Sequence, residues 1–351
     1  MTASGDEQLI VESALRFTEG AGGLRRARAR RDAWPDFDGA VWRQMADLGW
    51  TGVCVSAERG GLGLGVREAC LLLEAVGRSL TPELLAPAIA AGYLLDRLGE
   101  DAAEMLAALL EGDVAAVPVP VADLSSPALH LENVPDWYDC TLLLLGGSYR
   151  GSFRVRALSA AAPGVRAQPI ECVDGSVLAE VHCDDASHAR VVGSGDAARS
   201  AFDAALDVMR LGYAAYLVGL MDAAFAMTLE YMKTRRQFGV PIGSFQALQH
   251  RTASCYVDIR STRALVFEAC RAFATERQAW ASAAAKARAS AAALRVTKEC
   301  IQLHGAIGFT DEHDIGLYLK RAMAVAARLG GEVGSVRRCV EHRAHDSEAA
   351  G

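Results

Sequence analysis

The sequence predicts a mainly α-helical protein with a small β domain set between two helical parts. Three observations predict it. Both ends of the chain carry apolar residues at helical spacing, and the stretch between them is rich in Val, Pro, Ser and Gly with short apolar runs. Hydrophobic residues make up 51% of the 351 residues and charged residues 23%, a balance that calls for a large packed core.

Residues 1–113 are read as an N-terminal helical domain. Trp42, Met45 and Leu48 follow helical spacing, and Gly49 is a stop before Trp50. Thr51 to Ser56 is expected to be a short extended piece. A glycine-rich loop, Gly60 to Gly65, follows, and helical pattern resumes from Val66 to Val76. Pro82 and Pro87 interrupt it, and residues 88–111 read as a helix pair. Residues 114–196 are expected to form the β domain, with runs such as Thr141 to Leu145 and Phe153 to Leu158 separated by turn signals such as Asp174-Gly175. Residues 197–351 are expected to form a helical bundle, with four long patterns near 197–234, 244–276, 279–305 and 312–328. Their short connections suit antiparallel neighbours. Alanine fills the third, which favours both helix and close packing.

Charge and cysteine usage exclude several classes. Net charge is −7, from 36 basic and 43 acidic side chains, so no nucleic-acid footprint is expected. The one dense basic run, Arg25 to Arg31, is read as one face of a solvated helix. The nine cysteines are scattered, with no C-x-x-C pair, and read as reduced core thiols. The start, Met1 to Glu7, is acidic and polar, unlike a signal peptide. No uncharged apolar stretch of 18 residues occurs, so no membrane span is expected and the expected location is cytoplasmic. The loop Gly60 to Gly65 neither opens a βαβ unit nor contains G-K-[ST], so it is neither a Rossmann turn nor a P-loop.

Two strings in the last third are specific. The first runs Arg235-Arg236-Gln237-Phe238-Gly239-Val240-Pro241-Ile242-Gly243-Ser244-Phe245-Gln246-Ala247-Leu248-Gln249-His250. It resembles the acyl-CoA dehydrogenase pattern R-x-Q-F-G-x-P-I-x-x-F-Q-x-x-Q-H. The second, Gln302-Leu303-His304-Gly305-Ala306-Ile307-Gly308-Phe309, resembles that family's Q-x-x-G-G-x-G-[FY] segment, with Ala306 where a second glycine is usual. Val41 to Trp50 and Glu58 to Gly63 are similar to the family's N-terminal entry. The resemblance covers the two helical parts and is weak in the middle. It implies the acyl-CoA dehydrogenase fold: a helical N-terminal domain, here a shortened middle β domain, and a C-terminal four-helix bundle.

The resemblance implies FAD as cofactor, an acyl-CoA thioester as substrate, α,β-dehydrogenation as reaction and an electron-transfer flavoprotein as electron acceptor. It also implies that Arg235, Gln237, Phe238, Gln302, Gly305 and Ala306 contact FAD held mainly by a neighbouring subunit. The residues by themselves permit this. A guanidinium can donate twice to a pyrophosphate, and glycine lets backbone approach a cofactor. They equally permit a plain surface charge pair at Arg235-Arg236 and a helix cap at Gly305. His304 is read as a structural histidine, because no second His or Cys lies at ligand spacing.

The family's catalytic base is a carboxylate of raised pKa in an apolar pocket. Of its two family positions, one falls here on Gly330 and the other near Met209, and neither is acidic. Glu332 lies two residues past the first and is a weak candidate base. Asp207 lies two residues before the second, turned about 200° away on a helix. The family's T-E-P-x-x-G-S-D loop is replaced by Val117 to Ser126, where only Ser125 and Ser126 offer hydroxyls. Three readings follow. The chain pairs with a second, catalytically complete acyl-CoA dehydrogenase chain, as unequal pairs acting on steroid or other bulky CoA esters do. Or it is a self-sufficient homo-oligomer with a displaced base. Or it is a scaffold without redox chemistry, a reading the complete Arg235 to His250 string opposes.

Overall fold

The computed structural model describes residues 5–32 and 38–349; Met1 to Ser4 of the polar start lie outside them. Six helices come first: α1 (Gly5–Gly20), α2 (Leu24–Asp32), α3 (Gly39–Asp47), α4 (Val66–Gly77), α5 (Leu85–Arg97) and α6 (Ala103–Leu110). Seven strands follow: β1 (Ala116–Asp123), β2 (Leu129–Pro135), β3 (Leu142–Tyr149), β4 (Ser152–Ser159), β5 (Val165–Glu171), β6 (Val177–Cys183) and β7 (Arg190–Ser194). Then come α7 (Gly195–Thr234), a short hairpin of β8 (Arg236–Gln237) and β9 (Val240–Pro241), and the helices α8 (Gln246–Arg271), α9 (Gln278–His304), α10 (Ile315–Ala327) and α11 (Gly331–Ala349). Two compact units interleave along the chain. One holds Met1–Ala29, Cys70–Thr81 and Arg210–Gly351; the other holds Arg30–Ala69 and Pro82–Met209.

In the first unit α9 is the central helix, packed against α8, α10 and α11. Its alanines allow this, since Ala283, Ala285, Ala289, Ala292 and Ala293 are fully buried and leave room for neighbouring backbones. Residues 70–77 of α4 cross α7 at two glycines. A Cβ on Gly77 would lie 2.3 Å from the Tyr216 carbonyl oxygen, and one on Gly219 would lie 1.8 Å from that of Glu74. Around this crossing Arg263 bridges Glu74 at 2.7 Å and Asp222 at 3.5 Å, and Arg78 also pairs with Asp222. Tyr216 donates its hydroxyl to the Thr81 carbonyl at 3.0 Å, and Arg321 Nε donates to that same hydroxyl at 3.0 Å. Among the described residues α7 alone is long and apolar enough to cross a membrane, and 78% of its apolar window is buried inside the protein, as in a core helix.

The second unit holds the β structure. One sheet has the order β1-β3-β4-β7, with β1 and β3 parallel and the other pairs antiparallel; the other sheet is antiparallel, in the order β2-β6-β5. Alternation sets their faces: along β6, Val177, Ala179, Val181 and Cys183 are buried while Leu178, Glu180 and His182 are not. Gly146 of β3 lies against the Phe202 ring, where a Cβ would come within 2.5 Å.

Three expectations need correction. Thr51 to Ser56 is not extended: Trp50–Gly52 is a 3-10 turn entered from Gly49 at φ 76. Its β-branched residues face no partner strand. Instead the glycine-rich loop bonds across it, through Leu62 N–H to the Gly52 carbonyl, Gly63 N–H to Val55 and Leu64 N–H to Val53. Gly61 permits this approach, because a Cβ there would sit 2.3 Å from the Val55 carbonyl oxygen. The basic run is not simply a solvated face. Arg28 pairs with Asp314 at 2.7 Å and Asp311 at 3.3 Å, while Arg30 hydrogen-bonds the buried Asp139 and faces buried Glu83 at 4.0 Å. The bundle also holds a fifth long helix, α11, beyond the four patterns expected within residues 197–351.

Candidate cofactor-binding site

The two strings come together in the first unit. Helix α7 ends at Thr234, and the chain turns through the β8–β9 hairpin, closed by Ile242 N–H to the Arg235 carbonyl at 2.8 Å. Met232 and Ile242 pack on Leu303 near the end of α9, with Tyr231, Phe245 and Leu248 around them. This small apolar cluster fixes the hairpin beside the segment Gln302 to Phe309, although the two lie some sixty residues apart in sequence.

Around that cluster the six expected cofactor contacts are all exposed: Arg235, Gln237, Phe238, Gln302, Gly305 and Ala306. Among the described residues Arg235 makes no side-chain ion pair, whereas its neighbour Arg236 is held by the Gly239 carbonyl at 2.6 Å. Gln237 bonds back to the Arg236 carbonyl at 2.9 Å. Phe238 stands at the hairpin tip with φ 51 and is 93% exposed, edge-on to Phe245; Phe309 is 76% exposed. Large apolar side chains so exposed mark a surface made to be covered. Gly305 has φ 65 and ψ −142, a region only glycine occupies readily, and a Cβ there would meet nothing within 4 Å. The site therefore offers a cation, carboxamides, bare backbone and aromatic faces on one surface. Those are the donors a dinucleotide's pyrophosphate and rings require, so the residues fit FAD lying against this chain.

Histidine 304 behaves as read, with a neighbour the spacing did not show. It is buried, its Nδ1 lies 2.7 Å from the Cys300 carbonyl, and its ring stacks on Tyr231 at 4.5 Å. The 3-10 turn Gly305–Phe309 brings His313 back to within 4.6 Å of it. Burial pushes the His304 pKa down, the Cys300 hydrogen bond opposes this, and His313 adds to the lowering.

The regions that would serve the flavin ring and the base look different. The Ser125 hydroxyl accepts the Arg150 N–H at 2.9 Å, so it is engaged in tying its loop to the turn between β3 and β4. Glu332 lies exposed in the first turn of α11, outside any apolar pocket. Met209 and Asp207 are both buried in α7. Near Gly330 the chain places cations instead. Arg328 is buried, and Lys286 of α9 is fully buried, donating to Ser290 Oγ at 2.8 Å and to the Ala326 carbonyl at 2.9 Å. Burial, with Arg210 and Arg328 nearby, lowers the Lys286 pKa from 10.5 to about 7. Sequence reasoning passed over Lys286; a lone lysine at a core position of an alanine-rich helix was the available signal.

Comparison with known proteins agrees with this geometry. The family description "Acyl-CoA dehydrogenase, N-terminal domain" matches residues 4–113, and "Acyl-CoA dehydrogenase, C-terminal domain" matches residues 199–345. The chain is 30% identical over 338 residues to acyl-CoA dehydrogenase IpdE2 of Mycobacterium tuberculosis, covering 94% of each. Among solved structures it is similar to the Tcur3481-Tcur3483 steroid ACAD G363A variant, with TM-score 0.87, 25% identity and coverage of 99% of this chain and 100% of that one. The ChsE4-ChsE5 complex from Mycobacterium tuberculosis shares the fold, with TM-score 0.85, 23% identity and 98% of each chain covered. The two matched segments, the relative and the exposed cofactor strings lead to one assignment: this chain belongs to the acyl-CoA dehydrogenase family, oxidoreductases that act on CH–CH bonds and bind FAD.

Proposed function

We propose that this chain is one subunit of an FAD-dependent acyl-CoA dehydrogenase and works with a second chain that carries the catalytic carboxylate. The observation that carries this reading is a mismatch within the chain. Arg235, Gln302 and their neighbours stand exposed on one surface, while Gly330 and Met209 occupy the base positions and Lys286 and Arg328 lie close to the first of them. A buried guanidinium such as that of Arg328 lowers the pKa of a nearby carboxyl group, the wrong direction for a base that must take up a proton.

FAD, when bound, supplies the acceptor for the hydride that leaves the substrate β-carbon. This chain's part is to hold that cofactor. Arg235 would pair with the pyrophosphate, Gln302 would hydrogen-bond near the adenosine end, Gly305 would admit close backbone approach, and Phe238 would cover the cofactor from water. The companion takes the α-proton, and electrons leave to an electron-transfer flavoprotein. A CoA ester of a steroid-derived or similarly bulky acid is the proposed substrate. The resemblance to a steroid ACAD supports that class.

The test is an absorbance spectrum of the purified chain, alone and after co-expression with an acyl-CoA dehydrogenase chain that has a glutamate base. Flavin retention and bleaching by a bulky acyl-CoA only in the mixture are expected. Arg235→Ala with Gln302→Ala should strip flavin from the mixed complex without dissociating it. A yellow chain that bleaches alone refutes the division of labour and favours a self-sufficient homo-oligomer.

A further inference from the structure

We propose that His130, Glu180 and His182 form a binding site for a borderline-soft divalent transition-metal cation, of which Zn2+ is the probe, on the outer face of the β2-β6-β5 sheet. The strand register builds it. His130 of β2 is directly opposite His182 of β6, and Glu180 lies two residues before His182, so all three share one face. Their three ligand atoms lie within 4.8 Å of one another. The two imidazoles stack with ring centroids 4.4 Å apart and planes 5° from parallel, and His130 Nε2 is 3.9 Å from a Glu180 oxygen.

The opposite face of the same strands holds Leu129, Leu131, Ala179, Val181 and Cys183 in the core. A one-residue slip would bury the histidines, so the register is held by the apolar residues and the ligand set comes with it. The strongest cation nearby is turned away. Arg166 of β5 is opposite His182, but its guanidinium is held by both oxygens of Asp184 at 2.6 and 2.7 Å. Gln168, opposite Glu180, is exposed beside the carboxylate and can orient it.

Two imidazoles and one carboxylate suit zinc, nickel or copper better than magnesium or calcium, which prefer all-oxygen shells. Three protein ligands leave a tetrahedral ion one open position, for water or a group from another molecule. The parallel rings must turn about their side-chain torsions for the nitrogen lone pairs to converge on one ion, which their exposed position allows. The bound ion would tie β2 to β6 across some fifty residues of sequence.

Isothermal titration of the untagged, EDTA-stripped chain with ZnCl2 tests this, with its thermal midpoint followed in parallel. About one high-affinity Zn2+ per chain is expected, with no matching heat from MgCl2. His130→Ala and His182→Ala should each weaken it by more than about tenfold, and Glu180→Gln by less, since the imidazoles remain. Zn2+ should raise the midpoint of the wild type and not that of the double histidine variant. All three positions lie off the core, so the variants keep the fold, and His188→Ala serves as a histidine control. No high-affinity site in the wild type, or equal Zn2+ binding by the double variant, overturns the proposal.

Discussion

Replacing Lys286 by Met should change how stability depends on pH, and the structure sets the sign. Lys286 is fully buried, with its ammonium on Ser290 Oγ and the Ala326 carbonyl, and its pKa falls from 10.5 in the open chain to about 7 in the fold. Above pH 10.5 the amine is neutral in both states and folding loses nothing by titration. Between 10.5 and 7 the unfolded chain holds the proton and the folded chain does not, so stability falls as pH falls. Below 7 both states are protonated, and the loss is complete and constant. At 1.36 kcal/mol per unit, the 3.5 units between the two values give an upper bound of about 5 kcal/mol. Lys286→Met keeps the length, removes the titration and forfeits both hydrogen bonds, which costs about 1–3 kcal/mol at any pH. The variant should therefore lag the wild type near pH 10 and overtake it near pH 7. Urea unfolding of both proteins from pH 6 to 10, followed by helical circular dichroism, reads the difference. Parallel curves across that range would refute the reasoning, because they would mean that Lys286 keeps its proton in the fold.

Arg30→Ala removes the cation facing buried Asp139 and Glu83 and should cost about 3–5 kcal/mol, whereas Arg28→Ala, whose partners are half open to water, should cost under about 1 kcal/mol; denaturant midpoints separate the two. Gly219→Ala puts a methyl 1.8 Å from the Glu74 carbonyl and should destabilise by about 3 kcal/mol or more, seen as a lowered thermal midpoint. Glu332→Gln should leave dehydrogenase turnover of the mixed complex unchanged within about twofold, since an exposed side chain in the first turn of α11 lines no apolar pocket.

Much of the architecture was legible. Helices α7 to α10 lie within about five residues of their predicted ends, because each carries a long periodic pattern closed by glycine or a polar turn. Strands β3 and β4 coincide with the apolar runs read at Thr141 to Leu145 and Phe153 to Leu158. Helix α11 was hidden because Gly330, Gly331 and Gly334 open it, and because Val333, Val336 and Val340 point outward. Its apolar stripe signals a covered surface, not a core, and periodicity within one chain does not separate the two. The six residues proposed to contact FAD were legible only as strings. That Met232, Ile242 and Leu303 clamp those strings together is a tertiary fact, as is the meeting of His304 with His313 and of His130 with His182.

The direction of the electrostatics gives the division of labour its physical basis. A dehydrogenase base must sit where losing its charge is easy, which means apolar walls and no neighbouring cations. In this chain the helix end next to Gly330 carries the buried guanidinium of Arg328. Restoring a glutamate at residue 330 alone would then place it beside the Arg328 guanidinium, and Gly330 at φ 81 would also have to surrender a backbone conformation that favours glycine. By contrast, Arg235 needs no apolar surroundings: a permanent cation on an exposed hairpin gains its full value only when a second surface closes over it and excludes water. The exposed aromatic tip beside it, Phe238, would supply that exclusion on the proposed reading. On the proposed reading one chain holds a surface that gains strength on assembly and a base position that a single substitution does not repair, so a base supplied by a companion would follow from charge as well as from the missing carboxylate.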